Sequence, residues 1–151
     1  MLNQGVPLEV GLALDERALD GLRGPMQHDP AEGGDHAHED FDAYAVPMPA
    51  QNPTPYKFIE LDWNPAGHPP EDIYTLPHFD FHFCKTYDGA VIFQEPMITR
   101  EFILSKPNVE IPLPMAAQVT PAGYYPSAYS ITYDAQAKEH GIALTKMNWQ
   151  N

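Results

Sequence analysis

Polar and aromatic residues alternate strictly between positions 78 and 83, near the middle of the chain. This period of two predicts a β-strand. On that strand His78, Asp80 and His82 share one face, and three phenylalanines fill the other. A phenylalanine face is typical of a strand packed on a core. The opposite face would therefore hold two imidazoles and a carboxylate on a rigid element, which is typical of a metal site.

Similar patterns predict further strands and two short helices. Alternating apolar residues predict strands over 8–14 and 56–63, and a closing pair of strands over 129–133 and 142–144. Asp15 is the predicted N-cap of a helix that runs through Leu22 and stops at Gly24-Pro25. Thr99 is the predicted N-cap of a second helix over 100–105.

These elements favour a mainly β protein over a helical one. The chain has 151 residues, enough for one domain, and its 17 prolines argue against an all-helical fold. We therefore predict a single domain over 1–151, built on an antiparallel sheet that is sandwich- or barrel-like, with one or two short helices and long Pro-rich loops. Residues 25–45 are acidic and contain His28, His36 and His38. This composition predicts a flexible loop, with weak metal capture as the alternative.

Asp88-Gly89 separates two strand-like runs and predicts a type I′ hairpin. A two-residue turn there would pair Cys84 with Phe93 and His82 with Glu95. Glu95 would then join the histidines on their face of the sheet. Pro96 predicts that regular pairing stops directly after Glu95.

Strand geometry limits which of these side chains can bind one ion. His78 and His82 would lie about 13 Å apart along a regular strand, too far for one tetrahedral ion, whereas residues two apart, at roughly 6.6 Å, can chelate. Two ligand sets follow: Asp80 with His82 and Glu95, or His78 with Asp80. Either set is completed by His68 from the preceding loop. A β-bulge would reconcile all five residues.

The leading hypothesis is a non-catalytic domain that binds a divalent metal ion, with zinc as the first guess. Mixed His and carboxylate sites also accept manganese, iron or nickel. The rival hypotheses are a metal-dependent hydrolase or lyase with Asp80 or Glu95 as base, and a structural protein in which the face is a hydrogen-bond network. A helix with His78 and His82 four residues apart would resemble a metalloprotease, but Phe79 stands where that motif has glutamate.

Charge and hydropathy exclude several classes of partner. The net charge of -13 opposes binding to nucleic acid. No long apolar run predicts membrane insertion, and no signal peptide is recognised at the N-terminus. The single cysteine, Cys84, cannot form an intrachain disulfide and is expected to be a small apolar side chain beside Phe93. A homo-oligomer and an unidentified small-molecule ligand stay open.

Several segments together are similar to a bacterial family of unknown function, also labelled after a sigma-E-regulated Thermus protein. They are Gly5-Val6-Pro7 with Val10-Gly11, Ala18-Leu19-Asp20-Gly21-Leu22, Trp63-Asn64-Pro65 with Gly67-His68-Pro69-Pro70, Tyr74 with Pro77 to Phe83, and Glu95-Pro96-Met97-Ile98-Thr99. The resemblance implies an often exported, mainly β domain with no established reaction. Because no signal peptide is recognised, a cytoplasmic location stays open as well.

The chain departs from that family in two places. Members usually have an aromatic residue where Cys84 stands, and then a longer segment with a Met-Gly-x-His motif before the region that ends in Glu-Pro-Met-Ile-Thr. That segment is missing here. If its histidine is a ligand in relatives, the site of this chain would be incomplete.

Overall fold

The computed structural model describes most of the chain in eight segments. They are residues 2–3, 6–25, 42–70, 74–84, 90–91, 98–105, 108–113 and 124–149. Within these segments, no helix has the length and apolar character needed to cross a membrane.

Short β-strands dominate the described residues. In chain order they are β1 (Leu2–Asn3), β2 (Val6–Pro7), β3 (Glu9–Asp15), β4 (Asp42–Pro47), β5 (Phe58–Asn64), β6 (His78–Cys84), β7 (Ala90–Val91), β8 (Val109–Pro112), β9 (Tyr124–Tyr125), β10 (Ala128–Asp134), β11 (Glu139–Thr145) and β12 (Asn148–Trp149). A 3₁₀ helix spans Glu16–Leu19, and α1 spans Arg100–Leu104.

Two four-stranded antiparallel sheets organise the fold. The first sheet has the order β3-β11-β10-β8 and the second sheet the order β4-β5-β6-β7. Side chains from both sheets enter one buried apolar cluster, as Ile131 and Ile142 do from the first sheet and Leu61 and Phe81 from the second. The predicted mainly β, antiparallel fold is confirmed. The single domain over 1–151 stays a prediction.

The central pair of the second sheet positions the polar residues. β5 pairs with β6 over all seven residues of each strand, with Asp62 directly opposite Asp80. Because side chains alternate between faces, the apolar half of both strands lies on the core and the polar half lies on the other side. The residues on that polar face are Glu60, Asp62, Asn64, His78, Asp80 and His82. We call this the polar face.

Both predicted helix caps are present. Asp15 accepts a hydrogen bond from the Arg17 amide at 2.9 Å, and Thr99 accepts one from the Phe102 amide at 3.1 Å. The helix after Thr99 ends one residue earlier than predicted, with Ser105 as its C-cap. The helix after Asp15 is shorter than predicted and stops at Leu19, and Gly21, at φ 71°, then turns the chain.

Strand β4 overlaps the end of the acidic loop that the sequence predicts at about residues 25–45. β4 begins at Asp42 and pairs with β5 along six residues. The strand is stabilised by this long-range ladder, which the local acidic composition does not reveal. Residues 26–41, with His28, His36 and His38, lie outside the described residues.

The predicted register after β6 is also wrong. Cys84 pairs with Ala90, and Phe83 pairs with Val91, so Cys84 does not face Phe93. The predicted register depends on a two-residue turn at Asp88-Gly89, and connection length determines register in a hairpin. The pairing of His82 with Glu95 depended on the predicted register and loses its basis. Asp88, Gly89 and Glu95 themselves lie outside the described residues.

Replacing Ile131 by alanine tests the shared core. Ile131 is fully buried and pairs with Ile142, so Ile131→Ala should lower the free energy of unfolding by about 2–5 kcal/mol. The neighbouring Thr132 points outward and is exposed, and Thr132→Ala should cost about 1 kcal/mol or less. Urea unfolding measures both values. Equal losses would contradict the assignment of Ile131 to the core.

Candidate metal centre

The candidate site lies where β6 begins and the loop before it folds back. His78 and Asp80 are two apart on β6 and share the polar face, while His68 comes from the loop after β5. The loop is closed by its own backbone. The His68 amide donates to the Tyr74 carbonyl at 2.8 Å, and the Tyr74 amide donates to the Pro70 carbonyl at 3.1 Å.

Gly67 allows this closure. Its φ is 72°, in the left-handed region that favours glycine. A Cβ atom at this position would lie 2.2 Å from the Tyr74 carbonyl oxygen and 2.9 Å from the Thr75 carbonyl carbon. Any side chain at residue 67 would therefore push apart the two backbone segments that hold His68 beside β6.

Three ligand-type side chains converge at this point. His68 Nε2 lies 3.0 Å from Asp80 Oδ2, and His78 Nε2 lies 3.5 Å from Asp80 Oδ1. The two Nε2 atoms are 3.3 Å apart. Ligands of one tetrahedral ion, with bonds of about 2.0–2.2 Å, are separated by roughly 3.3–3.6 Å. His68, His78 and Asp80 thus form a group that could hold a metal ion.

Backbone carbonyls determine which nitrogen of each ring faces the centre. His68 Nδ1 is 2.7 Å from the Pro69 oxygen, and His78 Nδ1 is 2.6 Å from the Leu76 oxygen. A carbonyl only accepts, so each Nδ1 carries a proton and donates it. In the neutral rings both Nε2 lone pairs then point toward the other ring and the carboxylate. Metal-binding histidines commonly have this arrangement.

Two neighbours hold the group in place. Asn64 Nδ2 donates to Asp80 Oδ2 at 2.9 Å, which orients the carboxylate from the adjacent strand. The Tyr74 ring lies 5.0 Å from the His68 ring at an interplanar angle of 28°, and 5.7 Å from the His78 ring. The group is therefore supported by a hydrogen bond on one side and by aromatic packing on another.

The protonation equilibria reflect the close approach of these groups. Burial lowers the pKa of His78, but hydrogen bonds with Asp80 and the Leu76 carbonyl outweigh it, so the pKa is raised overall. Burial raises the pKa of Asp80, but hydrogen bonds with His78 and His68 dominate and lower it. Both shifts favour a carboxylate with positive charge beside it.

His82 does not belong to this group of three. Its Nε2 lies 3.1 Å from Asp62 Oδ2 on the neighbouring strand. Burial lowers the pKa of His82, but the Asp62 hydrogen bond and charge raise it overall. Of the five residues proposed from sequence, the structure thus brings three together, places His82 with Asp62, and does not describe Glu95.

Cys84 is buried and free, at the end of β6. Its Sγ is 3.7 Å from the His82 carbonyl oxygen. Burial raises the pKa of the thiol, which disfavours the thiolate that metals bind. The metalloprotease alternative is excluded because residues 78–84 form a strand, not a helix.

Sequence reasoning missed Asp62 and Asn64, although a signal for them was present. Glu60, Asp62 and Asn64 alternate with the apolar Ile59, Leu61 and Trp63, in the same way as the residues of β6. The apolar half of that alternation predicts the strand. The polar half indicates a second row of hydrogen-bonding groups, which the register then places beside the histidines.

Comparison with protein-family models, with curated proteins and with solved structures found no match. The resemblance to the bacterial family stays a prediction from motifs. The geometry of the polar face is therefore the basis for the function proposed below.

Replacing Gly67 tests the loop that supplies His68. Gly67→Ala should destabilise the protein and weaken metal binding, because the new methyl group overlaps the backbone at Tyr74 and Thr75. Gly21→Ala is a matched control, since Gly21 has φ 71° but no atom within 4 Å of its Cβ position. The control should show only the cost of the left-handed conformation, about 1–2 kcal/mol.

Thermal unfolding and zinc titration of the two variants make the comparison. We expect a larger loss of stability for Gly67→Ala, and weaker zinc binding for that variant alone. Identical behaviour of the two variants would show that the close approach at residue 67 does not control the site.

Proposed function

We propose that this protein is a divalent-metal-binding β domain whose ion is held by His68, His78 and Asp80. The supporting observation is that two imidazole Nε2 atoms converge on one carboxylate while both Nδ1 atoms donate to backbone carbonyls. In this arrangement the lone pairs of two neutral rings would repel each other. A cation between them removes the repulsion, and the ligand spacing suits an ion with bonds of about 2 Å.

Zinc is the first candidate for the ion. Two neutral imidazoles and one carboxylate are common zinc ligands. The same set also suits manganese, iron and nickel. In this proposal the ion stabilises the fold by connecting the loop after β5 to the start of β6. His78 is completely buried, so its hydrogen bonds and the ion together would compensate for its removal from water.

A metal-dependent hydrolase or lyase is the second candidate. It is favoured by partial access to the group: the side chains of His68 and Asp80 are 32% and 23% exposed. A metal ion at this position could bind a water molecule and lower its pKa, as catalytic zinc does. A bound solvent molecule found at the loaded site would favour this candidate over a purely structural ion.

Three further proposals come from the sequence. The motif resemblance supports membership of the bacterial family, and that family supports export from the cytoplasm. Self-association into a homo-oligomer is the third. Cell fractionation tests export, and mass measurement of the native protein tests self-association; both are independent of the metal.

Metal titration of ligand variants tests the proposed site. Untagged protein, stripped with chelator, should bind zinc, and His68→Ala, His78→Ala and Asp80→Asn should each weaken that binding by on the order of 100-fold or more. Isothermal titration calorimetry measures affinity, and elemental analysis measures content. Glu139→Gln is the control, because Glu139 is an exposed carboxylate on β11 of the first sheet.

Circular dichroism should accompany each variant, since His78 is buried and its removal leaves a cavity. His68 is partly exposed, so His68→Ala is the variant least affected by packing. Unchanged zinc affinity in all three ligand variants would refute the site. A loss in Glu139→Gln as large as in the others would show that surface charge, not coordination, binds the ion.

Stability should depend on pH in opposite ways with and without metal. In the metal-free protein the raised pKa of His78 means that the folded state binds a proton more tightly than the unfolded chain. This stabilisation is complete below about pH 6.5 and is lost as pH rises through the raised pKa. His82, whose pKa is raised as well, acts in the same direction.

Zinc competes with the same proton, so the zinc-loaded protein should instead become more stable as pH rises through this range. Thermal midpoints measured from about pH 6 to about pH 9, with chelator and with excess zinc, give the two curves. Parallel curves would contradict coordination by His78.

A further inference from the structure

A second His/Asp pair lies on the polar face beside the proposed site. Asp62 on β5 and His82 on β6 approach each other at 3.1 Å between Oδ2 and Nε2. In the strand register Asp62 is directly opposite Asp80, and His82 is directly opposite Glu60. Directly opposed residues have Cβ atoms about 4.5–5.5 Å apart, so Asp62 places its carboxylate beside that of Asp80.

Asp62 is buried, and its hydrogen bonds do not satisfy both of its carboxylate oxygens among the described residues. The residue is 8% exposed, and among the described residues its Oδ1 atom has no hydrogen-bond partner. His82 Nδ1 is also buried without a partner there, in contrast to the Nδ1 atoms of His68 and His78. A buried carboxylate oxygen that is left unpaired costs free energy. Asp62 Oδ1 is therefore free to bind a cation, while Oδ2 contacts His82 Nε2.

The charges around this pair also favour a cation. His82 lies between three carboxylates: Asp62 in contact, Glu60 across the strand pair, and Asp80 two residues before it on β6. Arg23 forms its salt bridge with Asp42 on the edge strand β4, not with Asp62. The local field around Asp62 and His82 is thus set by carboxylates, which attract divalent ions.

We propose that Asp62 and His82 bind a second divalent cation, next to the ion held by His68, His78 and Asp80. The 3.1 Å separation of Oδ2 and Nε2 suits two ligands of one ion. Asp62 would supply a carboxylate oxygen and His82 an imidazole nitrogen, a mixed set that suits manganese, iron(II) or zinc with water completing the coordination. This inference rests on the proposed function, because it places the second ion next to the ion held by His68, His78 and Asp80.

Metal stoichiometry separates the two proposals. Chelator-stripped, untagged protein is loaded with Mn²⁺ or Zn²⁺, passed through a desalting column, and analysed by native mass spectrometry and elemental analysis. We expect two equivalents in the unmodified protein, one in Asp62→Asn, one in His82→Gln and one in His68→Ala. Glu139→Gln, on the other sheet, should keep two. Circular dichroism confirms that each variant is folded.

Other stoichiometries have distinct meanings. A single equivalent that is lost in His68→Ala but kept in Asp62→Asn and His82→Gln would overturn the second site. The proposed function would stand, and the Asp62 and His82 pair would then hold only a proton. One equivalent that is lost in Asp62→Asn and kept in His68→Ala would support the new site and overturn the first. One equivalent lost in all three variants would mean a single shared ion, which overturns the second site. No bound metal overturns both.

Electron paramagnetic resonance of the manganese-loaded protein supplies an independent readout. Two neighbouring Mn²⁺ ions broaden each other's spectrum through dipolar coupling, whereas an isolated ion does not. The broadening should be present in the unmodified protein and absent in Asp62→Asn. A sharp single-ion spectrum at full loading would overturn the pairing of the two sites.

Discussion

The antiparallel pairing of β5 with β6 is the interaction on which the rest of the structure depends. Each strand alternates apolar and polar residues, and the register pairs apolar residues with apolar residues and polar residues with polar residues. One face of the pair therefore forms part of the hydrophobic core, with Leu61 and Phe81 directly opposite each other. The other face collects six polar side chains that no single strand could bring together. Burial of the apolar half stabilises the pair and so determines the position of the polar half.

The polar face carries net negative charge when its histidines are neutral. Asp62 and Asp80 sit opposite each other, and Asn64 donates to Asp80 from the next position along β5. Positive charge nearby stabilises two opposed carboxylates, and it can be supplied by protons on the imidazoles or by metal ions. For two of the rings, the backbone carbonyls of Pro69 and Leu76 accept hydrogen bonds from Nδ1, and the Nε2 atoms therefore face the carboxylate.

Much of the fold was predictable because its signals are local. Alternation identified β6 and its two faces, and the caps at Asp15 and Thr99 were recognised from side chains that bond within three residues of their own position. The closing pair of β10 and β11 followed from two apolar runs separated by a polar turn. By contrast, β4 was missed, because its strand conformation comes from pairing with β5 rather than from its own composition. The pairing of Cys84 was wrong because it depended on the length of a connection.

By itself the sequence determined that His78, Asp80 and His82 share a face, since this follows from the period of a single strand. The sequence also limited how many of these three side chains one ion can bind, because the rise per residue separates His78 from His82. Only the tertiary structure decided which of them have partners. It brought His68 back onto β6 through the turn at Gly67, and it placed Asp62 beside His82 through the register of β5. The physical reason is that strand periodicity is a property of neighbouring residues, whereas register and loop closure depend on packing between residues far apart in the chain.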